Sequence, residues 1–384
     1  MSAQGILNSY MITNRAYPWE QWAEYIYPGP AGQNVYLLAS GANNANSSAY
    51  PQNNLSFASQ MPPDFQSALE ADIASVVASR SAQVTLYIHG LSYYLSDACY
   101  TLGTFGNNLT AQGYGGLLIG FSWPSYGPVE STEYYGSLPY SFPPVYQSGT
   151  IRDNINGSTQ SLLNLLSQLV TLCRQYGARL NLVTHSEGNY MLMLAMAALD
   201  LNPGAFPQLN GAFIDQALMV AADINNGALQ TPASAAGAGQ GSAIAQHANA
   251  VTVYWSSNDS LLPFSEEWLD YHNPDFPDRL GLYGPASNVS GIILPNVTGL
   301  DCSNVANESN PYIPWNISVH ESYFYIPQIL FDMTQVLADI PPASVTNRVA
   351  TGNQSFAMTL VSARARSLRR PKGKSLAKKV PAAA

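Results

Sequence analysis

Charge is scarce in this chain. Of 384 residues only 10% are Asp, Glu, Lys or Arg, against about 25% in an average soluble protein. Lysine is missing until Lys372, and no acidic residue follows Asp339. Eight of the 15 basic residues lie from Arg364 onward, which leaves seven against 24 acidic ones before it, a net charge of −17. Nothing in the body offers a basic surface, so no nucleic-acid partner is expected. Only the tail "RARSLRRPKGKSLAKKVPAAA" has the charge for one, and affinity carried by it would collapse with salt. The tail lacks apolar periodicity and reads as a disordered extension.

Other absences narrow the chemistry. Cys99, Cys173 and Cys302 have neither metal-ligand spacing nor the numbers of a disulfide framework. There is no HExxH, so neither a metal nor a cofactor is expected. No glycine fingerprint opens a helix after the first apolar strand, which disfavours dinucleotide binding. The N-terminus has no basic start followed by an apolar core, and no run of 18 apolar residues occurs, so neither a signal peptide nor a membrane span is expected. A cytoplasmic location is the default. Ten Asn-x-Ser/Thr sequons, about twice the number that chance would give, point instead toward export.

What is abundant is apolar and aromatic: 46% hydrophobic residues and 24 tyrosines, enough for a sizeable core and for contact surfaces with polar tips. Short apolar runs suited to buried strands recur at 35–40, 84–88, 117–122, 180–184, 217–222 and 251–255. Helix-period segments lie between them. In 158–176 Leu162, Leu165, Leu166, Leu169 and Leu172 fall at steps of three and four, opened by Ser158 and closed by Gly177. Others are expected over 63–79, 187–199 and 321–337, the last interrupted at Pro327. Strands alternating with helices imply an α/β fold with a mainly parallel, doubly wound sheet and ligands at the strands' carboxyl ends. Aromatic, Pro-rich insertions interrupt it at about 124–155 and 260–300. The expected organisation is an extension at 1–30, one domain at 31–345 and a tail at 346–384.

The segment "LNLVTHSEGNY" (180–190) runs an apolar strand into a serine and a glycine, with a helix to follow. That is how a nucleophile elbow is written. Gly188 meets the demand for a small residue two positions after Ser186, whereas Thr184 stands where a glycine is usual. The helix N-terminus and the Glu187 amide would face an oxyanion forming beside Ser186. In "LYIHGLSYYLSD" (86–97) a second strand ends in His-Gly, and Leu91 or Ser92 would supply the other amide.

A serine needs a base and an orienting acid, both later in the chain. Of five histidines, His89 and His185 precede Ser186, His247 lies in a Gly/Ala/Gln stretch and His272 in an insertion. His320, in a loop before a helix, is the best candidate. Asp259, just past the strand of "VTVYWSSND", is the favoured acid, with Asp223, one strand earlier, as substitute. A glycan on Asn258 would crowd that acid, so its sequon is expected to be unused.

In this order "YIHG" (87–90), "GFSWPSYG" (120–127), "LVTHSEGN" (182–189), "SSNDSLL" (256–262), "RLGLYGP" (279–285) and "LDCS…VHESYF" (300–324) resemble the alpha/beta-hydrolase superfamily, and within it an esterase/lipase-like branch of uncharacterised bacterial hydrolases. The resemblance spans roughly residues 30–340. It implies a cofactor-independent serine hydrolase of carboxylic esters, small or polymeric, with a Ser186–Asp259–His320 triad and an oxyanion hole at Leu91 and Glu187. His89, Ser92, Tyr93, Trp123 and Tyr126 are expected to line the substrate. Glu187 sits where a neutral side chain is more usual. If it suppresses catalysis, the alternative is an inactive scaffold of the same fold, working through its tyrosines and tail.

Overall fold

The computed structural model describes residues 9–15, 33–39, 58–79, 81–125, 151–231, 239–270, 278–286 and 292–359. Two short strands come first, β1 (Ser9–Thr13) and β2 (Val35–Ala39). Helix α1 (Pro63–Ala78) opens with proline, whose missing N–H costs nothing in a first turn. Phe65, Leu69, Ile73 and Val76, at steps of three and four, are its buried stripe. Then follow β3 (Gln83–Ile88), α2 (Leu95–Ala111), β4 (Leu117–Ser122), α3 (Ile151–Tyr176), β5 (Arg179–His185), α4 (Gly188–Leu201) and β6 (Ile214–Val220). The second half holds α5 (Ser242–His247), β7 (Ala248–Trp255), α6 (Leu262–Asp270), the single turn α7 (Leu280–Tyr283) and β8 (Val297–Asp301). It closes with α8 (Pro327–Leu337), β9 (Arg348–Gly352) and β10 (Ser355–Met358).

The strands form one ten-stranded sheet in the order β2-β1-β4-β3-β5-β6-β7-β8-β10-β9. Pairings from β1 through β10 are parallel, and the outermost strands β2 and β9 run antiparallel to their neighbours. Because both faces are covered, successive residues of one strand enter different cores. Val84, Leu86 and Ile88 of β3 join the cluster with α1, α3 and α4, while Tyr87 joins α2 and α8. Leu162, Leu165, Leu166 and Leu169 of α3 are fully enclosed, and each contributes about 2 kcal/mol by leaving water. The architecture is that of an alpha/beta hydrolase.

Several boundaries differ from expectation. β1 falls within the supposed extension at 1–30, yet it sits between β2 and β4 in the sheet. β9 and β10 fall within the supposed tail at 346–384. Arg348 at the start of β9 is held by a two-pronged, buried ion pair to Asp332 of α8 (2.8 and 2.6 Å). β8 begins inside the supposed insertion at 260–300 and ends one residue past it. All four strands have four or five residues, too short for periodicity to stand out. Helix α3 starts seven residues before Ser158, which does not cap it: its hydroxyl donates to Asn154 O inside the helix (2.6 Å). The 321–337 segment divides as its proline suggests, into a 3-10 turn (Val319–Phe324) and α8 with Pro327 at its first position. Most of the 124–155 insertion and the basic tail from 360 lie outside the described residues.

Candidate active site

The carboxyl ends of β3, β5, β6 and β7 meet at one edge of the sheet. At the end of β5, Ser186 has φ of +52°, a left-handed conformation that costs a non-glycine residue energy and needs support from its surroundings. That support is dense. The Ser186 amide donates to Val220 O (3.0 Å), and its carbonyl accepts from the Asp223 amide (3.3 Å) and from Asn189 Nδ2 (3.0 Å). Asn189 is fully buried in the first turn of α4. It also explains Thr184, which departs from the glycine expected there. The Thr184 hydroxyl donates to Asn189 Oδ1 (2.5 Å), and Asn189 Nδ2 reaches back to Thr184 O (3.3 Å). A threonine–asparagine brace thus spans the elbow.

Two glycines let this turn approach the end of β3. A Cβ on Gly188 would stand 2.6 Å from His89 O, and one on Gly90 would stand 2.7 Å from Ser186 Cβ. Both distances are below any tolerated contact, so side chains here would push the two loops apart. After Gly90, the Ser92 amide donates to Ser125 O (3.0 Å). Of the two amides expected for an oxyanion, this leaves Leu91 as the candidate, beside Glu187 at the start of α4.

His320 lies in the 3-10 turn before α8, and Asp259 in the loop after β7. Asp259 Oδ2 accepts from His320 Nδ1 (2.7 Å), and Asp259 Oδ1 accepts from the amides of Leu261 (2.9 Å) and Leu262 (3.1 Å). All three proposed catalytic side chains are buried. Burial opposes charge on both partners. For His320 it is outweighed by the Asp259 charge and hydrogen bond, which hold its pKa above the usual 6.5. For Asp259 it is outweighed by His320 and the two amides, which hold its carboxyl below the usual value. Bonding through Nδ1 presents Nε2 as the free ring nitrogen. Among the described residues no hydrogen bond joins Ser186 Oγ to the His320 ring. Such bonds often close only with substrate bound.

His185 ties the elbow to the histidine loop. Its Nε2–H donates to His320 O (3.0 Å), and the two rings lie 4.8 Å apart. Burial, then the neighbouring His320, drive its pKa down to about 3, so it stays neutral. Asp223, the substitute acid, has a different partner. It pairs with Arg279 (3.0 Å) and accepts from the Ser265 hydroxyl (2.7 Å).

The five expected substrate contacts divide. His89 and Trp123 are enclosed, with their polar groups engaged. His89 Nδ1–H donates to Gly90 O (2.8 Å), and its Nε2 accepts from the Trp123 amide (3.2 Å). Trp123 Nε1–H donates to His89 O (2.9 Å), and the two rings stack 5.7 Å apart. Neither has a polar group left for substrate; they brace the Gly90 loop. Ser92 and Tyr93 line a cavity of about 230 Å³. Tyr126 lies outside the described residues.

Other supporting residues had no legible role in sequence. Arg15, buried two residues past the end of β1, donates to Ser122 Oγ (3.1 Å) and Tyr93 O (2.8 Å). Gly281 of "RLGLYGP" donates its amide to Ala222 O (2.9 Å) and accepts from the Ser256 amide (3.1 Å), bracing the loop that carries Asp259. The Asn258 side chain donates to Ser303 O (2.8 Å) and Ala306 O (3.0 Å), tying the Asp259 loop to the one after β8. Among the described residues no three His, Cys, Asp or Glu side chains are grouped to hold a metal, and no helix is long and apolar enough to cross a membrane.

A strained serine after a central parallel strand, with helices on both faces of the sheet, defines the alpha/beta-hydrolase class. The chain belongs to the family described as "Alpha/beta hydrolase of unknown function (DUF900)", which matches residues 65–285, more than half of its length. No curated protein matches it significantly. Among solved structures, the monoclinic form of an esterase from Pyrobaculum calidifontis is similar at 8% identity, covering 67% of this chain and 76% of that one, with a TM-score of 0.32. The iron-lacking apo form of ESTFA is similar at 9% identity, covering 81% and 80%, with a TM-score of 0.33.

Proposed function

We propose that this protein is a serine hydrolase that cleaves carboxylic esters through an acyl-enzyme on Ser186. The observation that carries the reading is the Asp259–His320 pair, held beside an elbow whose serine has a left-handed backbone. Ser186 Oγ attacks the ester carbonyl as His320 Nε2 takes its proton, with Asp259 fixing the tautomer through Nδ1 and stabilising the imidazolium. The oxyanion is met by the Leu91 amide after β3 and the Glu187 amide at the start of α4. His320 returns the proton to the departing alkoxide, so the alcohol leaves neutral. Water then repeats the cycle: its proton goes to His320, its oxygen to the acyl carbon, and Ser186 recovers its proton as the acid departs. Asn189, Thr184 and His185 are positioning residues in this scheme, acting through the elbow and the His320 backbone. His89 and Trp123 hold the loop that presents Leu91.

The test is labelling by a fluorophosphonate probe. The intact protein should label rapidly and the Ser186→Ala protein should not. Equal labelling of both places the reactive group elsewhere and sinks the assignment; a folded intact protein that does not label removes the hydrolase reading.

A further inference from the structure

The two ends of the sheet differ in where positive charge sits. At the amino end Arg179, which opens β5, pairs with Asp215 (3.2 Å) and Asp339 (3.6 Å), and Arg174 of α3 donates to Gln208 O (2.7 Å). At the carboxyl end Arg15, Arg279 and Arg348 are buried, the last two against Asp223 and Asp332. Among the described residues no exposed Lys or Arg is left there. Asp301 at the end of β8, Glu308 in the loop after it and Glu321 beside His320 reach solvent and form no ion pair among those residues. The same loop, 302–318, holds Tyr312 half in water and Trp315 97% exposed, an unusual place for the most extensively buried kind of ring. The missing positive charge starts close by. β10 runs parallel to β8, so its end lies at the same edge. Asn304 Nδ2 donates to Met358 O (3.4 Å), and the Thr359 amide donates to Asn347 O (3.0 Å). The basic tail therefore departs beside the loop that carries Glu308 and Trp315.

From Thr359 the first tail arginine, Arg364, reaches at most about 17 Å and the last lysine, Lys379, about 70 Å. Between them lie eight cations and no acid. We propose that segment 364–379 docks in cis on this face, its charges set against Asp301, Glu308 and Glu321 and over the rings of Tyr312 and Trp315. Exposed ion pairs are weak one by one, but a tether holds all eight charges at a high local concentration, so many weak contacts suffice. Aromatic faces add negative potential to that of the carboxylates. An anionic partner, nucleic acid or membrane, would meet the same carboxylates as a repulsion at the point where the tail departs. Ile317 and Glu321 also belong, with Ser92 and Asp97, to the wall of the cavity beside the proposed active site. A docked tail stands at the approach to His320.

Lys372, Lys374, Lys378 and Lys379 are the only lysines in the chain, so every lysine–carboxylate link made by a carbodiimide reports on the tail. Full-length protein, mixed from isotopically light and heavy preparations, is cross-linked and mapped by mass spectrometry. Links within one molecule to Glu308, Asp301 or Glu321 are expected to outnumber those to Asp200, Asp215 and Asp339 at the amino end. They should fade as salt rises from about 0.05 M to about 0.5 M. Replacing Arg364, Arg366, Arg369 and Arg370 together by Gln halves the tail's charge, keeps every lysine and should cut the yield several-fold. Trp315→Ala, at an exposed position, should lower the yield at Glu308. Absence of links, links that favour the amino end, links only between molecules, or a yield indifferent to salt overturns the dock. Loss of the links on adding an equimolar single-stranded oligonucleotide, or phosphatidylserine vesicles, at about 0.15 M salt gives the tail to that partner and overturns it as well. The links need no catalysis, so their pattern is independent of the fluorophosphonate result. On the ester-hydrolase reading, on which this last step alone rests, the four-arginine variant should show KM lowered several-fold with kcat unchanged, and an unaltered KM would remove the tail from the approach to His320.

Discussion

The ends of β6 and β7 offer the same thing in sequence and different things in space. Each adjacent parallel strand is followed within four residues by an aspartate, Asp223 after β6 and Asp259 after β7. Both carboxylates reach the working edge of the sheet. Asp259 meets an imidazole and two backbone amides, donors that hold a charge while leaving the histidine free to exchange protons at its far nitrogen. Asp223 meets the buried guanidinium of Arg279, a fork of donors that fixes a loop instead of serving a reaction. What an acid does at a strand end is decided by its partner.

Replacing each aspartate by asparagine should separate these tasks most widely. Asp259→Asn is expected to lower kcat for ester hydrolysis by about 10³- to 10⁴-fold through the wrong imidazole tautomer, with the fold retained by circular dichroism. Asp223→Asn should cost about 3 kcal/mol in urea unfolding by stranding a buried arginine, while kcat falls far less. Equal losses of kcat in the two variants would erase the distinction.

The contact between the β3 and β5 ends gives the next largest effect. Gly90→Ala sets a methyl 2.7 Å from Ser186 Cβ, and displacing the elbow should cost about 10²-fold in kcat. An unaltered fluorophosphonate labelling rate in that variant would mean that the two loops need not touch.

The pH dependence sharpens the comparison from another side. His320 must be neutral to act as base, and the Asp259 charge holds its pKa above 6.5. The kcat/KM profile should therefore rise with pH through a midpoint above 6.5 and not below it. In Asp259→Asn, burial acts without the opposing carboxylate, so the midpoint of the residual activity should fall. His185 runs the other way: with its folded pKa near 3 and an unfolded one near 6.5, the unfolded chain binds more protons between those values. Its contribution to stability is complete above 6.5 and is lost as pH falls toward 3. Urea midpoints measured down that range should drop, and should drop less in His185→Gln.

The smallest effect is expected where the sequence suggested a substrate contact. Trp123→Phe removes the hydrogen bond to His89 O, for a loss of about 1 kcal/mol in stability and little change in KM. A large rise in KM would return Trp123 to the substrate side.

The elbow was legible because its parts are contiguous. A strand, a serine, a glycine and a helix within eleven residues leave few other readings. The choice of His320, which the structure pairs with Asp259, rested on having five histidines and a required chain order, a count that a histidine-rich protein would not have allowed. The brace around Ser186 was not legible, since Thr184 looks like a mismatch until its hydroxyl is seen on Asn189. Glu321 and Asp97 lie 224 residues apart in sequence, and nothing local marks them as two walls of one cavity. β1, β9 and β10 were hidden by their brevity: a four- or five-residue strand is held by its neighbours' hydrogen bonds more than by its own pattern.

The chain by itself determined the alternation of buried strands and amphipathic helices, and with it a parallel sheet whose carboxyl edge carries the chemistry. That follows from side-chain period and turn residues, which act over a few positions. Tertiary structure alone decided which aspartate meets the histidine and which amide of the Gly90 loop is already occupied. Those are relations among segments tens to hundreds of residues apart, settled only when the strands take their places in the sheet and each buried polar group must find a partner.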